Sequence, residues 1–222
     1  VALSRMIATL HDADGTVAVK GLDVIEYDGA PYDEGAYRKD AGVLPGVDLI
    51  GAGSIADRLY GRPSINVIGI DAPLVDGAAN ALIPKARARV SVRLAPSQDP
   101  AEAQGVVAKH LEAAAPWHVK VKVTPRTVGE GFLAKTDGPA YAAATDAMAA
   151  AFQKDVVHYG EGGSIPLVAG FLEAQPTAEM ILWGCLEPQC KVHAPNESVD
   201  LAEVEHCVLA EALFIAGMAE KK

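Results

Sequence analysis

A glycine-rich turn in the C-terminal part of the sequence contains residue types that could bind a small anionic substrate. The strand-like run Asp155–His158 leads into Gly160–Ser164, where Gly162 and Gly163 allow the backbone to approach a ligand closely. Ser164 could cap a following helix, whose free N–H groups favour an anion. Because ligands bind at the carboxyl ends of strands in open parallel sheets, this turn is a candidate binding site. The alternative is a tight strand-to-helix turn with no ligand.

A second candidate loop, Gly184–Glu197, also follows a predicted strand, and it contains a histidine. His193 could ligate a metal or exchange a proton near neutral pH. The alternative is an ordinary surface histidine, with Asn196 and Ser198 acting only as caps of the final helix. Among the other histidines only His158 is a further candidate, because it ends the strand that leads into the glycine-rich turn.

Arg93 lies in the strand that the sequence defines most clearly, Ala86–Leu94. Apolar residues alternate there with Arg87, Arg89 and Arg93, which predicts a core face and an arginine face. A guanidinium on the second face can clamp a carboxylate through two parallel hydrogen bonds. The alternative is a solvated strand face that binds nothing.

The elements around these candidates divide the sequence into two parts. Residues 1–131 predict helix, strands, helix and strand, which is typical of an α+β domain whose antiparallel sheet carries helices on one face. Residues 132–222 predict the order α-β-α-β-α, which indicates a parallel α/β unit with right-handed crossovers. The predicted helices cover residues 1–12, a segment from the N-cap Asp99 to Pro116, Pro139–Phe152, Ile165–Leu172 and Asp200–Met218. The predicted strands are Val17–Val19, Leu22–Glu26, Ser64–Ile70, Ala86–Leu94, His118–Thr124, Asp155–His158 and Glu179–Trp183, and Gly29–Pro45 is predicted to be irregular.

Composition excludes several classes of protein. The 222 residues include 29 acidic and 19 basic side chains, and a net charge of −10 argues against binding to nucleic acid or to anionic membranes. No apolar run approaches the ~20 residues that a membrane span requires. Cys185, Cys190 and Cys207 are too few for a disulfide scaffold and lack C-x-x-C spacing. We expect plain thiols in a cytoplasmic protein, with a metal site or a disulfide as the alternative.

Three motifs together resemble the C-terminal part of the di-zinc peptidases, the superfamily of carnosinase, aminoacylase and succinyl-diaminopimelate desuccinylase. The motifs are Glu161-Gly162-Gly163-Ser164-Ile165-Pro166, His193-Ala194-Pro195-Asn196-Glu197, and Asn80-Ala81-Leu82-Ile83-Pro84 leading into Val90-Ser91-Val92-Arg93-Leu94. The resemblance implies that residues 1–131 form most of a ferredoxin-like antiparallel lid domain, which usually forms homodimers. It implies that residues 132–222 form the C-terminal βαβ part of a zinc-binding α/β catalytic domain.

The resemblance also implies roles for single residues. His193 resembles the last ligand of a binuclear zinc site, and Arg93 resembles the lid arginine that binds the substrate carboxylate. Asn80 resembles a polar residue near the scissile carbonyl. The turn that resembles the loop beside the substrate consists of Glu161, Gly162, Gly163 and Ser164. A member of this superfamily would hydrolyse the amide bonds of dipeptides or N-acyl amino acids with zinc-activated water.

Several features of the superfamily are absent from the sequence. Its first half supplies a His-x-Asp motif, a bridging Asp and a Glu-Glu pair that includes the general base, and His11-Asp12-Ala13-Asp14 does not have that spacing. Val1 falls directly in a helical pattern, so we expect a piece of a longer protein. One histidine cannot hold a catalytic zinc, so we expect the chain alone to be inactive. The alternative function is a non-catalytic module that dimerises by its sheet edge and binds small carboxylates.

Overall fold

The computed structural model describes residues 1–126, 128–129, 131–160 and 166–220. Its regular elements are α1 (Ala2–Ala8), α2 (Glu34–Asp40), a π-helical turn (Asp57–Gly61), β1 (Ser64–Asp71), β2 (Arg87–Arg93), α3 (Pro100–Ala113), a 3-10 turn (Pro116–His118), α4 (Pro139–Phe152), α5 (Pro166–Ala174) and α6 (Leu201–Glu220). Helices thus accompany a small antiparallel sheet, which confirms the predicted mixed α/β and α+β class.

The chain folds into two compact units, and both are discontinuous in sequence. Unit 1 contains Val1–Pro31 and Asp48–Gly131 together with Gly160, and unit 2 contains Tyr32–Val47, Phe132–Tyr159 and the described residues from Pro166 onward. The assignment of lid and catalytic roles to the two parts of the sequence stays a prediction. In the part of the chain that the structure describes, no helix combines the length and the apolar character needed to cross a membrane.

The sheet of unit 1 pairs β1 with β2 in antiparallel register. Ile65 lies opposite Val92 and Val67 opposite Val90, and a bulge at Ile68 interrupts the ladder. Because successive side chains of a strand point to opposite faces, these apolar pairs share the inner face. Arg87, Arg89 and Arg93 are exposed, as the alternation in the sequence predicts.

The core of unit 1 joins the sheet to α3 and to the segment that follows α1. Its buried residues are Leu10, Val19, Ile65 and Val107, and Leu10 is fully buried. Val107 belongs to α3, whose N-cap is Asp99: the carboxylate of Asp99 accepts a hydrogen bond from the backbone N–H of Glu102 at 2.7 Å. The cap predicted from the sequence is confirmed.

Unit 2 is built on the close packing of α4 against α6. Small side chains make this approach possible, because α4 buries Ala143, Ala144, Ala147 and Ala151, and α6 buries Ala210 completely. The N-terminus of α4 has a distant cap: the carboxylate of Glu179 accepts hydrogen bonds from the backbone N–H groups of Ala140 at 3.4 Å and Tyr141 at 2.8 Å. A Cβ on Gly138 would overlap that carboxylate, so a larger residue there would require the side chain of Glu179 to move.

The structure differs from the sequence prediction at five of the predicted strands. Val17–Val19, Leu22–Glu26, His118–Thr124, Asp155–His158 and Glu179–Trp183 are extended or irregular, and among the described residues β1 and β2 form the one ladder beside an isolated His11–Val17 bridge. The alternation of burial survives in part, since Val121 and Val123 are half-buried and Lys122 is exposed. A strand requires a continuous ladder of hydrogen bonds to a neighbour in addition to an alternating pattern, and in the described part of the chain these segments make only isolated bonds of this kind or none.

Helix α2 lies within the segment that the sequence predicts to be irregular. Its N-cap is Asp33, whose carboxylate accepts a hydrogen bond from the backbone N–H of Ala36 at 2.7 Å. Within the helix, Arg38 forms an ion pair at 2.7 Å with Glu34, which lies one turn earlier. The segment around this short helix is rich in glycine, proline and tyrosine, and this composition led to the prediction of irregular structure despite the N-cap residue Asp33.

Replacing Leu10 by alanine should lower the free energy of unfolding by about 2–5 kcal/mol, because the side chain is fully buried and its removal leaves a cavity. Equilibrium urea unfolding followed by circular dichroism measures this change. Leu82→Ala is the matched control, since Leu82 is fully exposed and the same truncation should change stability by less than ~0.5 kcal/mol. Equal effects of the two substitutions would contradict this assignment of the core.

Candidate functional site

The loop that carries His193 has an unusual backbone. Lys191, His193 and Asn196 have φ values of 55°, 61° and 63°, in the left-handed region that residues with a side chain rarely adopt. Turn hydrogen bonds hold this geometry: the N–H of Ala194 donates to the carbonyl of Lys191 at 2.9 Å, and the N–H of Glu197 donates to the carbonyl of Ala194 at 3.2 Å. Strain of this kind is found preferentially at functional sites.

Cys190 anchors the same loop. Its side chain is buried, and its carbonyl accepts a hydrogen bond from the N–H of Ser198 at 3.0 Å, which closes the loop at its base. His193 lies between these two residues and is exposed. The structure therefore holds an accessible histidine on a constrained turn.

The described residues do not form a complete zinc site. Within residues 1–126, 128–129, 131–160 and 166–220, no group of three or more His, Cys, Asp or Glu side chains could hold a metal ion. A catalytic zinc needs about three protein ligands and an open position. His193 would be a single ligand, and further ligands would have to come from elsewhere.

The predicted glycine-rich turn, Glu161, Gly162, Gly163 and Ser164, lies outside the described residues, but the residue before it is described. The N–H of Gly160 donates a hydrogen bond to the hydroxyl oxygen of Tyr27 at 3.3 Å. A Cβ at position 160 would lie 2.6 Å from Cδ1 of Tyr60, so no other residue fits there without movement of that ring. The rings of Tyr27 and Tyr60 are themselves in contact, with centroids 5.0 Å apart.

The segment that carries Tyr27 is fixed to the π-helical turn beneath it. The N–H of Ile25 donates to the carbonyl of Gly61 at 2.8 Å. The carboxylate of Asp57 accepts hydrogen bonds from the hydroxyl of Ser54 at 2.8 Å and from its N–H at 3.0 Å. These bonds from Ser54 hold the pKa of Asp57 below its ordinary value, and a hydrogen bond from the backbone of Tyr27 contributes in the same direction. Sequence reasoning missed both tyrosines, because nothing local relates them to a glycine 100 or more positions away.

Arg93 is the last residue of β2, opposite Ser64 on the outer face of the sheet. It is exposed, and no hydrogen bond or ion pair joins its guanidinium to another residue that the structure describes. Arg87 on the same face instead forms an ion pair with Asp71. The guanidinium of Arg93 is thus available to a ligand.

Asn80 lies in the segment between β1 and β2, which is exposed throughout from residue 72 to residue 86. This segment also exposes large apolar side chains, namely Leu74, Val75 and Leu82. His158 lies elsewhere, in unit 2, where its Nδ1 is 3.3 Å from the hydroxyl oxygen of Tyr141. The two rings border a groove of about 440 Å³ whose lining also includes Thr136, Thr145 and Asp146.

Comparison with known proteins identifies the fold and the family. Residues 1–119 match the family model of the M20 peptidase dimerisation domain. The chain belongs to the M20 peptidase family. This M20 chain is 37% identical over 218 residues to the cysteinylglycine-S-conjugate dipeptidase of Corynebacterium striatum, and the match covers 96% of the chain and 48% of that relative.

Solved structures of M20 enzymes share the fold of this M20 chain. The M20 family metallo-carboxypeptidase Sso-CP2 of Sulfolobus solfataricus matches with a TM-score of 0.79 at 20% identity, over 96% of the chain and 51% of that structure. Human carnosine dipeptidase 1 matches with a TM-score of 0.79 at 22% identity, over 99% of the chain and 49% of that structure. The di-peptidase Dug1p of Saccharomyces cerevisiae matches with a TM-score of 0.66 at 20% identity, over 99% and 48%. The chain therefore spans about half the length of these relatives, and the predicted family resemblance is confirmed.

Replacing Gly160 by alanine should lower the free energy of unfolding by about 1–3 kcal/mol, because the new methyl group would overlap the ring of Tyr60. Urea unfolding measures the change. The control in the same unit is Gly105→Ala in α3, where no atom lies within 4 Å of the added Cβ and helix propensity should raise stability by up to ~1 kcal/mol. A neutral Gly160→Ala substitution would show that the Tyr60 ring does not constrain this position.

Proposed function

We propose that this chain is part of a zinc-dependent dipeptidase or aminoacyl amidohydrolase, which hydrolyses the amide bonds of small peptides or N-acyl amino acids. The observation that carries the proposal is the 37% identity to a cysteinylglycine-S-conjugate dipeptidase over 96% of the chain. An exposed histidine on a strained turn and an exposed, unpaired arginine at a strand end are consistent with it. The cytoplasm, which keeps thiols reduced, is the location we propose.

In this proposal the residues of the chain bind and orient the substrate. The guanidinium of Arg93 binds the substrate carboxylate, and Asn80 and the turn Glu161, Gly162, Gly163 and Ser164 contact the remainder of the molecule. His193 supplies one ligand to zinc, which polarises the amide carbonyl and activates water when bound. Because the described residues contain no complete metal site, we propose that the 222-residue chain does not turn over substrate alone.

The proposed activity can be tested on a protein of the relatives' length that contains these 222 residues. We expect about two zinc ions per chain, as in two-metal hydrolases, and hydrolysis of an S-substituted cysteinylglycine or of a plain dipeptide. An N-acyl amino acid serves as the third substrate and separates amidohydrolase from dipeptidase activity. A metal-free protein that is inert toward all three substrates would refute the proposal. That result would favour the alternative function, a non-catalytic module that binds small carboxylates.

His193→Ala in the longer protein should reduce the zinc content and abolish most of the hydrolysis, because a catalytic zinc with too few protein ligands dissociates readily. Metal analysis by mass spectrometry and an assay of dipeptide hydrolysis provide the two readouts. His118→Ala is the control, since His118 is also exposed but lies in unit 1. Unchanged zinc and activity in His193→Ala would make His193 an ordinary surface residue.

Arg93→Ala should lower kcat/KM about 10- to 150-fold, because the loss of a hydrogen bond to a charged group costs about 1.5–3 kcal/mol. We expect most of this loss in KM, with partial recovery in Arg93→Lys, which keeps the charge but loses the bidentate geometry. Arg89→Ala is the matched control on the outer face of the same strand. Equal kinetics for both alanine variants would mean that the arginine face is merely solvated.

We further propose that unit 1 forms a homodimer, because residues 1–119 match a peptidase dimerisation domain. Among the residues that the structure describes, no strand pairs with the outer edge of β1, which exposes Ile68 and Ile70, 59% and 56% respectively. Sedimentation equilibrium of the chain should give twice its mass of 23.1 kDa. Ile68→Asp should weaken the dimer at least about tenfold by burying a charge, whereas Leu82→Asp should not. A monomer at every concentration would exclude this assembly.

A further inference from the structure

All three cysteines of the chain lie in unit 2, and two of them are close together. Cys185 is half-buried in the segment that leads into the His193 loop, and Cys207 lies in α6 with 9% of its surface exposed. Cys185 contributes to the raised pKa of Cys207, so the two thiols lie close enough to interact. Cys190 is buried separately, at the base of the loop.

The backbone on both sides of this pair explains why the thiols meet. From Ile181 to Glu187 every second residue is half-buried and those between are exposed, as in an extended segment with one face on a neighbour. Trp183 and Cys185 therefore point to the same side. The neighbour is α6, since the ring of Trp183 packs edge-on against Phe214 with centroids 5.8 Å apart and an interplanar angle of 87°.

The spacing on α6 matches this arrangement. Cys207 and Phe214 are seven residues apart, which is two helical turns, so they share one face of the helix. Ala210 on the same face is fully buried. The ring contact of Trp183 with Phe214 thus places the extended segment along α6, with Cys185 on the side that faces the helix.

We propose that Cys185 and Cys207 form a reversible disulfide when the chain encounters a hydroperoxide. This redox modification site is separate from the proposed peptidase function and does not depend on it. Cys185 is the thiol that reacts first, because it is the more accessible of the two. Burial raises the pKa of Cys207 to about 11, and the hydrogen bond with Cys185 acts in the same direction, so Cys207 stays a thiol until its partner is oxidised.

The oxidation proceeds in two steps. The Cys185 thiolate attacks the terminal oxygen of the hydroperoxide; the O–O bond breaks and a sulfenic acid forms at Cys185. The alkoxide or hydroxide that leaves takes up the proton that the Cys185 thiol released, which gives an alcohol or water. The sulfur of Cys207 then attacks the sulfenic sulfur. An S–S bond forms, the S–O bond breaks, and the proton from Cys207 leaves with the hydroxide as water. Two thiols lose two electrons in total, and the hydroperoxide gains them.

The Cys185–Cys207 disulfide would join the two ends of the segment that carries His193 by a covalent bond. Residues 185 and 207 flank that loop, and the covalent bond would fix both flanks to α6. The loop would then have fewer accessible conformations, whereas the reduced chain holds it by the buried Cys190 and by hydrogen bonds alone.

The test treats the 222-residue chain with hydrogen peroxide, blocks remaining thiols and maps the disulfide. Trypsin leaves Cys185 and Cys190 together on residues 155–191 and Cys207 on residues 192–221, so tryptic peptides cannot distinguish the two candidates. The variant C190S removes the ambiguity. We expect its two peptides to be joined, with the loss of two hydrogen atoms, and to separate after treatment with dithiothreitol.

Thiol counts and single variants supply the controls. Titration of the unfolded wild type should fall from three thiols to one after oxidation. In C207S the reaction should stop at Cys185, where dimedone traps the sulfenic acid, and in C185S the thiol of Cys207 should persist. Retention of both thiols in C190S, a bond to Cys190, or disulfide-linked dimers on a non-reducing gel would each overturn the proposal.

A chymotryptic map of the wild type avoids any dependence on the folding of variants. Chymotrypsin cleaves after Leu186 and so separates Cys185 from Cys190 without a substitution. A peptide containing Cys185 bonded to one containing Cys207 supports the proposal. Any other partner for Cys207, or over-oxidation of Cys185 to a sulfinic acid with Cys207 still reduced, contradicts it.

Discussion

The alternation of side chains along an extended backbone is the constraint that positions the candidate residues of both units. In β2 it places Val90 and Val92 toward the core and leaves Arg93 on the outer face. In unit 2 the same period places Trp183 and Cys185 toward α6. A shift of one residue in β2 would exchange the buried and exposed sets and would bury the arginines at considerable cost. The positions of the chemically active side chains therefore follow from the burial of their apolar neighbours.

Local signals account for the elements that sequence reasoning predicted well. The helix from Pro100 needs only its own N-cap and an apolar stripe, and α4 begins and ends where the alanine-rich run does, at Pro139 and Phe152. The pair β1 and β2 was predictable because each strand has a buried face of its own. The predicted class and the family are both confirmed.

Long-range signals account for the elements that could not be predicted. His118–Thr124 has an alternating pattern, but the sequence of a segment does not predict whether a neighbouring strand is available to pair with it. Tyr27 and Gly160 meet across 133 positions, and Glu179 caps a helix whose first turn lies 38 and 39 positions earlier. The left-handed conformation of residues 191, 193 and 196 could not be predicted either, because none of them is a glycine. The candidate site was therefore predictable as motifs, while its supporting tyrosines and its strained turn were not.

The capping of α4 by Glu179 has a consequence for how the protein folds during synthesis. The core of unit 1 uses residues between Leu10 and Val107, so it can close once these have left the ribosome. Helix α4 must wait for its cap at Glu179 and for its packing partner α6, which ends at Glu220. At a translation rate of about 5–20 residues per second, the residues between Val107 and Glu220 take roughly 6–23 seconds to synthesise, so the core of unit 1 can close that long before unit 2 is complete. During that interval the alanine face of α4 lacks its partner α6, and transiently exposed apolar surface of this kind favours aggregation of the nascent chain.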